Sequence, residues 1–412
     1  MRRHFFTVAL AGALCSMVFS NCCGPQKPKE VYFERATPES VGMSTEKLEN
    51  ADAVINAAIE ERTIPGAVLA VVKDSKLVYL KAYGNKSVYP DTVAMTTNTV
   101  FDLASLTKVA SMSMSMAHLF EKGAFRLEDK VTKYIPEFQP WVDPKTGEKV
   151  DIRIVDLLTH SSGLPSYANT DELLERYGVA HPDTLMSYIN TVPRLFRPGE
   201  RYEYSCLGFI TLQNILQRIT GTPLRDYAKE HVFDKLGMKH TTYGPKTLKN
   251  EEVMALVAPT VKLPDGSVLL GEAQDPLGRV MNWENSGNSG LFSSAEDLSL
   301  LAAALMNGGK INGVSVLGKL AVETMTTVPK GYEHVGRSLG WENDAQPGKY
   351  GHMLHPTRTF SHTGHTGTMI VVDPEAKLGI VLLAHRVHPV DTGTVGRLRA
   401  LVCNAVGAAV IE

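Results

Sequence analysis

Cysteine is scarce in this chain and unevenly placed. There are five in 412 residues, and Cys15, Cys22 and Cys23 crowd into the N-terminal segment. Only Cys206 and Cys403 remain in the body, which excludes a disulfide framework and predicts two thiols. An excess of either charge is also missing. Lys and Arg number 42 against 44 Asp and Glu, for a formal net charge of −2. No basic field argues for nucleic acid, and nothing points to a strongly acidic partner. No glycine-rich phosphate loop follows the first predicted strand, which argues against a dinucleotide-binding fold. The signal-like apolar run Phe5–Ser20 is too short and too early for a spanning helix, which needs about 20 residues. Internal repeats are absent, and the only biased tract is Gly24-Pro25-Gln26-Lys27-Pro28-Lys29.

The N-terminus reads as an export signal. Met1-Arg2-Arg3-His4 is a positive n-region, and the apolar run ends at Asn21-Cys22-Cys23-Gly24. This resembles a bacterial lipoprotein signal, in which a cysteine just after the apolar run is lipidated, here Cys22 or Cys23. Phe19-Ser20-Asn21 lacks the usual leucine and small residue, so an ordinary cleaved secretory signal is the alternative. Residues 1–29 are assigned to this segment and its linker.

Beyond the linker, the composition is that of a globular protein, with 43% hydrophobic and 21% charged residues. Ser44 is placed to cap a helix carrying Leu48, Ala51, Ile55, Ala58 and Ile59 on one face. Ala67–Lys73 and Lys76–Tyr83 read as strands joined in a hairpin at Asp74-Ser75. Residues 125–285 read as helices and loops, including Gly208–Thr220 and Pro223–Leu236. A helix over Ala295–Asn307, strands over Ile370–Val372 and Leu378–Ala384, and a last helix over Gly393–Val406 close the chain. The layout is β-containing ends around a helical middle.

The most informative stretch is Phe101-Asp102-Leu103-Ala104-Ser105-Leu106-Thr107-Lys108. In a helix of about 3.6 residues per turn, positions i and i+3 share a face, so the Lys108 amine can sit over the Ser105 hydroxyl. A serine hydroxyl is a poor nucleophile until a neighbouring base takes its proton. Lysine serves as that base when its pKa falls from about 10.4 toward neutrality, through burial or nearby positive charge. Ser111-Met112-Ser113-Met114-Ser115-Met116 alternates like a strand, yet Val109, Met112, Met116 and Leu119 form a helical stripe with Gly123 as a stop. The chemistry at Ser105 requires the helix. S-x-x-K alone is common and recurs at Ser44-Thr45-Glu46-Lys47, where Ser44 reads as a cap.

Two later stretches complete an ordered set: Glu203-Tyr204-Ser205-Cys206-Leu207-Gly208 and Ser361-His362-Thr363-Gly364-His365-Thr366-Gly367-Thr368. Together with Ser105-Leu106-Thr107-Lys108 they resemble the S-x-x-K, Y-x-N and K-T-G or H-T-G motifs of the penicillin-recognising serine hydrolases. The resemblance is to the class C β-lactamase-like branch, which includes esterases, D-amino-acid peptidases and acyltransferases. Leu157–Pro165, Arg197-Pro198-Gly199 and Gly290-Leu291-Phe292-Ser293 support it, and it covers about residues 35–410.

The resemblance implies an α+β fold: an antiparallel sheet flanked by helices, plus an inserted mostly helical domain. The sheet part would take residues 30–103 and 290–412, and the helical part 104–289, with Ser105 at the interface. It implies Ser105 as the nucleophile of an acyl-enzyme, and Lys108 and Tyr204 sharing the base and acid work, with the first proton acceptor left open. His362 stands at the lysine position of K-T-G, where it can hydrogen-bond Tyr204 or substrate. The oxyanion hole would use the backbone N–H groups of Ser105 and His365, and Cys206, Thr363 and Gly364 would line the substrate site.

Two departures bear on substrate. Cys206 replaces the asparagine of Y-x-N, and a thiol is a weak donor and acceptor. His362 replaces lysine and titrates near neutrality. Both favour an esterase, peptidase or transacylase over a dedicated β-lactamase. No cofactor is implied. The cluster His352, His355, His362 and His365 lacks the spacing of a helical zinc motif, so no metal is expected. The expected partners are a small ester, amide or lactam and an acyl acceptor, with membrane contact only through an N-terminal lipid. The expected function is an exported serine hydrolase or acyltransferase in the periplasm or cell envelope. The alternatives are a true β-lactamase, a D-amino-acid peptidase, and a catalytically weak sensor that is acylated and barely released.

Overall fold

The computed structural model describes residues 32–343 and 353–412, so the predicted signal segment and His352 lie outside the described residues. Strand β1, Gly66–Lys73, is buried at every position. Side chains on a strand alternate between faces. Ala67, Leu69 and Val71 accordingly join one hydrophobic cluster, while Val68, Ala70 and Val72 join another. Covering both faces of an antiparallel strand explains the near-continuous apolar run in the sequence. Each such side chain contributes roughly 1.5–3 kcal/mol by its burial when it is Val or Leu.

β1 pairs antiparallel with β2, Lys76–Val88, and on its other side with the strand Leu378–Ala384. The two ends of the chain therefore meet in one sheet. Among the described residues its seven strands run in the order Glu342–Asn343, Phe360–Thr363, Met369–Asp373, Leu378–Ala384, β1, β2 and β3, Thr92–Ala94. The predicted hairpin is present. Asp74 and Ser75 both adopt positive φ, 51° and 62°, as a two-residue turn matched to strand twist requires.

Helix α1, Thr45–Glu60, covers one face of the sheet with the C-terminal helix Gly396–Ala408. Ser44 caps α1 as predicted, its hydroxyl accepting the Lys47 backbone N–H at 3.2 Å. The other face packs on the helix Ala295–Met306, whose Leu298, Leu301, Ala302 and Leu305 are buried. Beyond it lies the helix-rich stretch that includes α2, Met114–Glu121, and α3, Ile154–Leu158. The expected α+β architecture is what the structure has. Among the described residues no helix is long and apolar enough to cross a membrane, and Cys206 and Cys403 form no disulfide.

A second, three-stranded sheet joins β4, Val100–Asp102, to Leu291–Ser294 and Thr242–Tyr243. It brings the stretch around Ser105 to the edge of the large sheet. Here the structure corrects the expected regular helix after Ser105. Ala104–Leu106 is a 3-10 turn, Lys108–Ser113 a π-helical turn, and only then does α2 begin. All six residues of the π turn are buried, so neither a period of two nor a one-sided stripe could describe them. The methionines fill the core while a serine takes a polar partner, Ser111 Oγ lying 2.7 Å from the Tyr243 hydroxyl.

Candidate active site

Ala104 has φ 46°, a left-handed conformation that a non-glycine residue holds only when its surroundings impose it. The Asp102 carboxylate accepts the Ala104 N–H at 2.8 Å and the Gln274 N–H at 2.7 Å, fixing the turn from beneath. Burial pushes the Asp102 carboxyl up to about 6, with the charges of Asp275 and Glu284 adding to it against these two hydrogen bonds. The turn presents Ser105 toward a cleft of about 480 Å³, lined also by Tyr204, His362, Arg337, Arg386 and Arg399. A larger cavity of about 870 Å³, lined by Met306, Val322 and Phe360, contains none of these residues.

Lys108 is fully buried, and its amine donates to Ser105 Oγ at 3.0 Å, to the Asn288 carbonyl at 2.9 Å and toward Cys206 Sγ at 3.5 Å. It also lies 4.9 Å from the centroid of the Tyr204 ring. The predicted trio of hydroxyl, amine and phenol is thus brought together.

The electrostatics differ from the expectation. Burial is the largest influence on Lys108 and pulls its pKa down. Cys206 and Tyr204 as anions, a hydrogen bond with Tyr204 and the charge of Asp275 outweigh it, and the pKa ends above the ordinary lysine value. Tyr204 is raised as well, by burial first, although Lys108 and Ser105 pull it the other way. Burial raises the Cys206 thiol too. The expected lysine near neutrality is therefore corrected. Lys108 and Tyr204 titrate as one pair.

Tyr204 owes its place to His160, which lies in the Leu157–Pro165 stretch but has no role assigned from sequence. The two rings stack at 4.5 Å, and Phe209 stacks on His160 at 4.9 Å. His160 Nδ1 accepts the Ser205 N–H at 3.0 Å, and its carbonyl accepts the Glu203 N–H at 2.8 Å. Burial, then the positive charges of Arg337 and Lys108, hold this imidazole well below its usual range, so it is neutral. Ser205 in turn caps the helix Cys206–Thr220, its hydroxyl accepting the Gly208 N–H at 3.2 Å.

His362 is the penultimate residue of the strand Phe360–Thr363, and its ring centroid lies 6.3 Å from that of Tyr204. Its Nδ1 is 2.8 Å from the Thr363 carbonyl, so Nδ1 carries a hydrogen and donates it to that oxygen. Gly364 packs so closely that a Cβ there would collide with the Leu103 carbonyl and the Thr368 hydroxyl. His365 follows at the exposed mouth. Its ring is engaged by Asp391 at 2.7 Å and Arg386 at 3.1 Å.

Sequence reasoning missed Asn288, whose carbonyl takes the Lys108 amine and whose amide donates to Asp275 at 2.7 Å. No motif flags it. Arg337, which pairs with Glu342 at 3.3 Å and donates to the Tyr202 hydroxyl at 2.8 Å, was missed as well.

An antiparallel sheet flanked by helices, with a serine, a buried lysine and a tyrosine converging at its edge, defines a serine hydrolase or acyltransferase of the β-lactamase and transpeptidase type. The chain belongs to the Beta-lactamase family, whose sequence profile matches residues 51–404. It is 30% identical over 413 residues to a "Putative D-alanyl-D-alanine carboxypeptidase" of Escherichia coli (strain K12), covering 94% of this chain and 92% of that protein. It is 31% identical over 370 residues to an "N-acetylmuramyl-L-alanine amidase" of Bacillus subtilis (strain 168), covering 85% of this chain and 83% of the relative. The fold matches that of EstCE1, "a hydrolase with promiscuous acyltransferase activity", with a TM-score of 0.69 at 21% identity, over 88% of this chain and 99% of the other.

Proposed function

We propose that Ser105 attacks the carbonyl of a small ester or amide and carries the acyl group to water or a second acceptor. One observation carries this reading above the others: the fully buried Lys108 amine, 3.0 Å from Ser105 Oγ. As the serine attacks, its proton passes to the Lys108–Tyr204 pair after that pair has lost one of its own. The same pair then protonates the leaving group. The backbone N–H groups of Ser105 and His365 receive the developing oxyanion, and removing one such donor costs about 3–4 kcal/mol. His362 lies where it can hydrogen-bond Tyr204 or substrate.

Cys206, Thr363 and Gly364 line the acyl path. With a thiol at 206 the site lacks a strong partner for an acylamino arm, which favours esters over β-lactams. The arginines at 337, 386 and 399 outnumber the one lining carboxylate, Glu342, and favour a substrate with a free carboxylate. This last observation supports a D-amino-acid peptidase as the second reading, in line with the name of the Escherichia coli relative. The pattern of residues 1–23 supports export to the cell envelope, with a lipid on Cys22 or Cys23.

Intact mass spectrometry after incubation with a panel of esters, D-alanyl peptides and β-lactams tests the reading. Wild type gains one acyl mass with an ester and sheds it, and Ser105→Ala gains none. Adduct formation on Ser105→Ala overturns the nucleophile assignment. Fast turnover of a β-lactam with none of any ester reverses the substrate choice. A stoichiometric adduct that is never released makes the protein a sensor.

A further inference from the structure

The two oxyanion donors of the proposed mechanism lie on different segments, Ser105 after β4 and His365 after Phe360–Thr363. Their separation depends on what joins those segments. Two threonines do so. Thr366 Oγ1 donates to the Asp102 carbonyl at 2.7 Å, and Thr368 Oγ1 donates to the Leu103 carbonyl at 3.0 Å. Both are buried, 1% and 0% exposed. The close approach of Gly364 to the Leu103 carbonyl seals the same contact. The loop is also held from its far side. Arg399 donates to the Gly364 carbonyl at 2.7 Å and to the Thr368 carbonyl at 3.0 Å, and Arg386 to the His365 carbonyl at 2.8 Å. His365 therefore stands between a threonine clasp on the nucleophile side and two arginines behind.

We propose that Thr366 and Thr368 are positioning residues that set the distance between the Ser105 and His365 N–H groups, and so the fit of the site to a tetrahedral oxyanion. Neither hydroxyl touches substrate. Each fixes a carbonyl two or three residues before the nucleophile, on the strained side of the turn at Ala104. Substrate binding draws on the cleft walls, whereas the oxyanion forms only in the transition state. The threonines therefore govern kcat and leave KM nearly alone.

This inference rests on the acyl-enzyme reading above. Its test is steady-state hydrolysis of a p-nitrophenyl ester by Thr366→Val, Thr368→Val and the two serine variants, with inhibition by phenylboronic acid measured in parallel. The boronate becomes tetrahedral on a serine and reports on the oxyanion site directly. Each valine variant lowers kcat roughly 10- to 100-fold, as misplacement on the ångström scale does, with KM within about twofold. Boronate affinity falls by a similar factor. Serine, which keeps the donor, restores both. Should valine not fold, Thr366→Cys provides a weak donor in a side chain shaped like serine and carries the same comparison. Unchanged kcat in Thr366→Val and Thr368→Val overturns the proposal, as does a fall that serine fails to restore. An ester turned over by Ser105→Ala overturns the underlying acyl-enzyme reading instead, so the two failures are distinct.

Discussion

The chain writes S-x-x-K twice, and the two copies have opposite fates. At Ser44-Thr45-Glu46-Lys47 the serine faces the start of an ordinary α-helix, accepts the Lys47 backbone N–H, and leaves the lysine side chain in solvent. At Ser105-Leu106-Thr107-Lys108 a left-handed alanine and a 3-10 turn precede a π turn, and the lysine is enclosed. The spacing is the same; burial and backbone conformation differ. A four-residue pattern becomes reactive only where the fold withholds water from the amine and supplies it with a hydroxyl, a phenol and a carbonyl.

Exchanging the lysines is the harshest way to test that contrast. Lys108→Met should lower kcat/KM for an ester by roughly 10²–10⁴-fold, the usual share of acid–base catalysis, whereas Lys47→Met should leave it unchanged. Equal losses at both positions would erase the distinction.

The pH dependence sharpens it further. Burial raises the Tyr204 phenol, so the ionised form able to accept the serine proton grows as pH rises. Log kcat/KM should therefore climb through the neutral and alkaline range. His362→Lys adds a fixed positive charge that disfavours protons on its neighbours, and should move that climb to lower pH. A superimposable profile would remove residue 362 from the electrostatics of the pair. The gentlest test is Ser44→Ala, which should cost about 1 kcal/mol of stability by urea unfolding with kinetics intact.

Much of this was legible in the sequence. The β1–β2 hairpin, the cap at Ser44 and the meeting of residues 105, 108 and 204 follow from local pattern or from ordered motifs. The rest was hidden for identifiable reasons. The broken helix after Ser105 is enclosed on every side, which leaves no polar face to mark its period. Asn288 acts through its carbonyl, and a backbone group carries no signature in residue type. His160 lay inside a quoted stretch, yet its work of stacking between two rings depends on partners 44 and 49 positions away. The direction of the Lys108 shift could not be read because it depends on Cys206, Tyr204 and Asp275 surrounding the amine together.

The sandwich of His160 between Tyr204 and Phe209 has a practical consequence. Because that imidazole is held uncharged, acidification over the working range does not unseat the phenol by ionising the ring that supports it. A bend in an activity curve near neutrality can then be traced to groups lining the cleft, and this buttress drops out of the list of suspects.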